Sequence, residues 1–260
     1  MADQNNPYAA PSAHVADVSQ SIDDGELIEG GQAVPAGNSW QWIADGFALF
    51  KMNPGIWILN LIILMVIFVG LALIPFIGTL ATYILFPILT GGLMLGCRAL
   101  ERNEPLEVGH LFAGFREKAG PLAVVGVLYL VGLIAVVLIT SLFVGFGVFG
   151  AMFMGSKPAM SVTMILLMFL IILGLSIPLL MAIWFAPALV VIHDLQPMDA
   201  LKQSFTGCLK NIVPFLVYGI IGFVISIIAS IPFGLGWFVW APTIIASAYA
   251  GYRDIFVRHA

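Results

Sequence analysis

The chain has 260 residues, 61% of them hydrophobic and only 9% charged, with a formal net charge of −4. A soluble domain carries roughly 25% charged residues, so water is excluded as the solvent for most of this surface, and a mean hydropathy of +1.05 points to lipid instead. Cys97 and Cys208 cannot make a disulfide framework, four scattered histidines argue against a zinc cluster, and there is no basic stripe for nucleic acid.

Residues 1–38 contain no Lys or Arg and no long apolar core, so they are not a signal peptide. They carry Asp3, Asp17, Asp23, Asp24, Glu26 and Glu29 among Ala, Asn, Pro, Ser and Gly. Such a stretch buries too little apolar area to offset chain entropy and is expected to be disordered. It reads either as an acidic docking tail or as a plain solvated extension. Residues 39–260 form the membrane domain.

A helix needs about 20 apolar residues to cross about 30 Å of hydrocarbon. Stretches of that kind run over 54–74, 76–100, 121–149, 162–192, 212–231 and 235–252. The expected fold is all-α, a polytopic membrane bundle of six transmembrane helices. Pro and Gly at 74–78 and 231–234 make tight helical hairpins between spans one and two and between spans five and six. The fourth span is too long for an untilted crossing, and Pro178 and Pro187 are expected to kink it.

The basic residues set the orientation. Lys51, Arg98, Arg102, Arg116, Lys118, Lys202, Lys210, Arg253 and Arg258 all fall on one side of a six-span chain, and only Lys157 falls on the other. Lys and Arg stay cytoplasmic, so both termini are expected in the cytoplasm, as are the cysteine ends of the helices, which should keep free thiols.

The chain reads as three copies of one unit, a short amphipathic segment followed by two spans. Gly46-Phe47-Ala48-Leu49-Phe50-Lys51, Leu111-Phe112-Ala113-Gly114-Phe115-Arg116 and Ser204-Phe205-Thr206-Gly207-Cys208-Leu209 align without gaps. Apolar stripes at helical spacing run through Trp40, Ile43, Phe47 and Phe50, through Val108, Leu111, Phe112 and Phe115, and through Met198, Leu201, Phe205 and Cys208. These segments lie at the headgroup level, or they are simply the ends of the spans they precede. Pro87, Pro187 and Pro242 mark the second span of each unit. Five and nine residues beyond stand Gly92 and Gly96 in the first, and Ser247 and Gly251 in the third. This small-xxx-small spacing lets membrane helices approach closely, and spans two and six are expected to pack through it. The middle unit departs, with Ile192 and Gln196.

No ionisable residue lies near the centre of a span, so a proton-coupled transporter lacks its usual relay. Asn60 is the least routine polar residue inside, either a substrate contact or an interhelical hydrogen bond. At the cytoplasmic boundary Arg98, His193, Asp194 and Arg253 form a candidate polar cluster, able to hold an anionic lipid headgroup or to act as a proton-sensitive latch through His193. The plainer reading is snorkelling arginines beside an interfacial Asp. No nucleophile elbow, phosphate loop, zinc motif or dinucleotide fingerprint occurs at a usable spacing, so no catalytic, cofactor or metal residues are assigned.

At Leu93-Met94-Leu95-Gly96-Cys97-Arg98-Ala99-Leu100-Glu101, at His110-Leu111-Phe112-Ala113-Gly114-Phe115, and at Trp40-Gln41-Trp42-Ile43-Ala44-Asp45-Gly46-Phe47 with Pro54-Gly55-Ile56-Trp57, the chain resembles an uncharacterised family of proteobacterial multi-pass inner-membrane proteins. More loosely, Phe185-Ala186-Pro187-Ala188-Leu189-Val190 followed by Ala200-Leu201-Lys202-Gln203-Ser204 is similar to the membrane domain of some glycerophosphodiester phosphodiesterases. The resemblance covers 39–258 and implies a bacterial inner-membrane location. It brings no catalytic residue. The expected function is a non-enzymatic membrane scaffold or accessory protein whose partners are the bilayer, anionic headgroups or other membrane proteins. The alternative is a transporter or channel for an uncharged or lipid-like substrate.

Overall fold

The computed structural model describes residues 25–153 and 162–258. Residues 1–24, which hold most of the expected acidic tail, and the segment with Lys157 lie outside them. The described residues form eleven helices: α1 Asn38–Met52, α2 Pro54–Ala72, α3 Ile77–Glu101, α4 Val108–Leu111, α5 Ala113–Glu117, α6 Ala119–Phe153, α7 Val162–Trp184, α8 Ala186–His193, α9 Pro197–Lys210, α10 Ile212–Ser230 and α11 Trp237–Phe256. Two short strands, β1 (Glu26–Leu27) and β2 (Val257–Arg258), pair antiparallel.

Among the described residues, five segments are long and apolar enough to cross a membrane, namely α2, α3, most of α6, the α7–α8 run and α10. The sixth expected span, α11, is as long as α10 but carries Thr243, Ser247, Tyr249, Tyr252, Arg253 and Asp254. Half of its 20 residues are buried against other helices, so its polar groups face protein rather than lipid. It falls short of the other five in apolarity for that reason.

Burial is lopsided along the helix axes. The core gathers at the end of the bundle that carries the basic residues, around Trp42, Trp57, Leu93, Leu111, Phe185 and Tyr252. Towards the far end the helices expose Val69, Leu73, Phe76, Leu142, Leu170 and Ile231. In water this much contiguous apolar surface would aggregate, whereas hydrocarbon solvates it without cost.

The short helices build the core. α1 packs along α11, α4 and α5 pack on α3, and α9 packs on α7 and α8. Their protein-facing sides share only part of the apolar stripes read from the sequence: Ile43, Phe50, Leu111 and Cys208 are buried. α1 buries Ser39, Trp42, Ile43, Gly46 and Phe50, whereas Trp40 and Phe47 are exposed. α9 buries Ala200, Ser204, Gly207 and Cys208, whereas Met198 is exposed. Phe115 is exposed while Gly114 beside it is buried. Close approach to a neighbouring backbone selects the small residues, and this leaves several large ones pointing outward.

The fourth span bends at Phe185, about two turns from the basic end of the run, and α7 continues unbroken through Pro178. Pro187 has no N–H to give to the preceding turn. The Ser204 hydroxyl of α9 enters the gap, accepting from the Phe185 N–H at 3.0 Å and donating to Met181 O at 2.7 Å.

Of the tail expected to be disordered over 1–38, the described part begins at residue 25. Residues 25–37 are pinned rather than free: the Ile28 and Gln32 amides donate to Phe256 O and Ile255 O. Asn211 receives the Val34 N–H on its carbonyl oxygen and donates to Gln32 O, while Lys210 Nζ donates to Gly31 O at 2.7 Å. Gly31 has φ +67, and a side chain there would run into Ile255 and Gly207. Backbone bonding, which composition does not reveal, orders this stretch.

Candidate functional site

The four small residues singled out for packing lie at close contacts, but spans two and six do not meet through them. A Cβ on Gly92 would overlap the carbonyl oxygens of His110 and Leu111, and one on Gly96 would overlap Leu106. On α11, Ser247 lies against Gly46, and Gly251 lies against the Trp42 ring. The grooves made by these small residues are therefore filled by α4 and α1. Helical spacing identifies the groove, not the helix that occupies it.

The polar cluster assembles differently from expectation. Asp194, a left-handed C-cap at φ 56, pairs with Lys118 at 2.5 Å. Arg253 pairs with Glu101 at 3.2 Å, and the same carboxylate accepts from Tyr249 OH at 2.5 Å. His193 Nε2 and Tyr252 OH share a hydrogen bond at 2.5 Å. The Asp194 carboxylate is thus held by Lys118, and Arg253 is held by Glu101. Asp254 secures α1 by accepting from Trp42 Nε1 and Asn38 Nδ2.

Two cavities open at the basic end. One, of about 400 Å³, lies between α1 and α11 over Trp42, Asp45, Glu101, Tyr249 and Arg253. The other, of about 460 Å³, is lined by Arg98, Arg102, Arg116, Lys118 and His110 together with Glu104, Glu107 and Glu117. Four guanidinium or ammonium groups thus share one recess, on a floor that includes Leu95 and Val191. Arg116 and Lys118 come from the segment before α6, and Arg98 and Arg102 from the end of α3. The sequence marks all four as basic but gives no sign that two turns and a loop fold them together.

A third cleft, of about 380 Å³ and mostly apolar, lies between α3, α6, the α7–α8 run and α11. Its walls include Tyr83, Phe86, Tyr129, Trp184, Ala188 and Ala248. The Tyr83 and Tyr129 rings lie 6.1 Å apart. None of these positions stands out in the sequence, since aromatic residues are routine in membrane helices.

Asn60 is 1% exposed, and both of its side-chain polar atoms lack a hydrogen-bond partner among the described residues. Cys97 and Cys208 are both buried free thiols. Burial pushes the Cys208 thiol up to about 12, against a smaller lowering from its hydrogen bond with Ser204. Among the described residues, no three His, Cys, Asp or Glu side chains come close enough to hold a metal ion.

Over 235 residues the chain is 31% identical to a probable inner membrane protein of Burkholderia thailandensis, covering 86% of this chain and 84% of that protein. The chain belongs to that inner-membrane protein family. No family model matches it, and no solved structure does. Family membership accords with the apolar helices in placing the chain in an inner membrane. The comparisons give no support to the looser similarity with glycerophosphodiester phosphodiesterases.

Proposed function

We propose that this protein is a non-enzymatic scaffold or accessory protein that crosses the inner membrane six times, keeps both termini in the cytoplasm, and gathers anionic lipid headgroups at its cytoplasmic end. The observation that carries the reading is the recess lined by Arg98, Arg102 and Arg116, beside the Lys118–Asp194 pair. It stands at the end of membrane-crossing helices, where phosphate groups lie and where cations are retained. The exposed Trp40, Phe47, Phe115 and Met198 of the short helices add apolar anchors at the same level.

The sixth crossing is α11. Its length matches that of α10, to which it is joined through the six-residue turn 231–236. A six-fold crossing brings all the described basic residues to one face, whereas a five-fold one would split them.

The bundle is best read as three units closed in a ring. Each short helix packs on the second span of the unit before it, and α1 packs on the last. The middle unit fits once Pro178, rather than Pro187, is matched to Pro87 and Pro242. Five residues beyond these prolines are Gly92, Ile183 and Ser247. The aligned positions Leu111, Ser204 and Gly46 meet Gly92, the Met181–Phe185 turn and Ser247 respectively.

The test is lipid binding by the full chain in nanodiscs or detergent. Phosphatidylglycerol or cardiolipin should co-purify in preference to phosphatidylcholine, and the preference should disappear in Arg98→Gln/Arg116→Gln. Equal retention of charged and zwitterionic lipid by the wild type removes the reading. The alternative, transport of an uncharged or lipid-like substrate, draws on the apolar cleft and would be seen as substrate-dependent flux in liposomes.

A further inference from the structure

The bonding of the aromatic side chains singles out the cleft between α3, α6, the α7–α8 run and α11. Of the five described tyrosines, three spend their hydroxyls inside the protein: Tyr218 on Ser247, Tyr249 on Glu101 and Tyr252 on His193. Of the six tryptophans, four donate their indole N–H: Trp42 to Asp254, Trp57 to Leu49 O, Trp237 to Ser230 and Trp240 to Ser226. Trp40 lies exposed on α1. The remaining three, Tyr83, Tyr129 and Trp184, make no hydrogen bond to the described residues through their polar atoms, and all three line this one cleft.

Their depth makes this costly. At 1.5 Å per residue, Tyr83 lies about 22 Å along α3 from Arg98, and Tyr129 lies about 16 Å along α6 from Lys118. Both are well inside hydrocarbon, where no water satisfies a phenol and an unpaired polar group is disfavoured. The cleft carries no charged side chain. It follows α3 from Thr82 to Met94, about 18 Å at the same rise. Its small Ala188 and Ala248 walls keep it open, and its volume falls in the range of small-molecule sites.

We propose that this cleft binds an uncharged membrane lipid, its apolar chain lying along α3 and its carbonyl oxygens accepting hydrogen bonds from Tyr83 OH, Tyr129 OH and Trp184 Nε1. A charged headgroup is disfavoured here because nothing in the lining would neutralise it. Two kinds of bilayer molecule have the required chemistry: a prenylquinone, whose flat ring suits the aromatic walls, and a diacylglycerol, with two ester carbonyls. The inference requires only that these helices lie in the membrane. It is independent of the basic recess, whose ligand is anionic.

The test uses the full chain in detergent, titrated separately with a decyl-substituted benzoquinone and with dioctanoylglycerol, and reads tryptophan fluorescence. One of the two should bind saturably, and the signal should be lost in Trp184→Phe. Tyr83→Phe/Tyr129→Phe keeps the rings and removes the hydroxyls, and should weaken binding at least tenfold with an unchanged melting temperature. Ala248→Phe should block the cleft. Phosphatidylglycerol should not compete. The proposal is overturned if neither probe saturates, if the double Phe variant binds as tightly as the wild type, or if phosphatidylglycerol displaces the probe. The double Phe variant decides the matter even where Ala248→Phe fails to fold.

Discussion

Ser204 of α9 stands in for a missing helical hydrogen bond of Phe185: its hydroxyl takes the Phe185 N–H at 3.0 Å and passes a bond to Met181 O at 2.7 Å. A side chain inserted into the helical ladder is a recognised cause of a kink, and here it ties the bend to a helix from the following part of the chain. Ser204→Ala leaves the buried Phe185 N–H without its acceptor, while Met181 O keeps only the Cys208 thiol, a loss of about 1–3 kcal/mol. Thermal unfolding in detergent should report it as a lower midpoint, and an unchanged midpoint would show that the helix closes the gap unaided.

Gly92→Leu should be more damaging than substitution at a glycine that faces outward. At Gly92 the new side chain meets the carbonyls of His110 and Leu111, whereas at Gly70 nothing lies within 4 Å. Overpacking of this kind costs about 1–3 kcal/mol, and more where backbone must move. Size-exclusion profiles of Gly92→Leu and Gly70→Leu should separate, the first aggregating and the second matching the wild type.

Cys208 should resist thiol reagents until the protein unfolds. With its thiol raised to about 12 by burial, the thiolate fraction at pH 8 is about a thousandfold below that of an ordinary cysteine near 9. Maleimide labelling of a Cys97→Ala variant should be slow in the folded state and complete in denaturant. Because the folded value is raised, reactivity should return only as pH approaches 12.

Asn211→Ala should release the strap formed by residues 25–37. Asn211 holds Val34 N–H, Gln32 O and Gly207 O together. Hydrogen exchange at the Val34 amide should rise sharply in the variant, while the amides of α2 keep their protection.

These particulars mark where the sequence is informative. Apolar runs and basic residues reveal the crossing segments and their shared end, because each is a property of a continuous stretch. The small residues at 92, 96, 247 and 251 are legible as grooves, yet α4 and α1 fill them. The fit depends on three-dimensional neighbours that spacing does not encode. Pairing of Asp194 with Lys118, and of Glu101 with Arg253, depends on which cation the backbone brings nearest. The strap is invisible to composition because its order comes from main-chain bonds and from two side chains about 180 residues away. Tyr83, Tyr129 and Trp184 look ordinary until the partners of the other tyrosines and tryptophans are known.

The account turns on α11 crossing the membrane and returning the C-terminus to the face that holds the other basic segments. Fusions of a cytoplasm-dependent fluorescent reporter and a periplasm-dependent phosphatase, placed after residues 104, 195 and 258 and after residues 75 and 233, measure this directly. The account predicts fluorescence at 104, 195 and 258 and phosphatase activity at 75 and 233. Phosphatase activity at 258 together with fluorescence at 195 would mean five crossings and would contradict it.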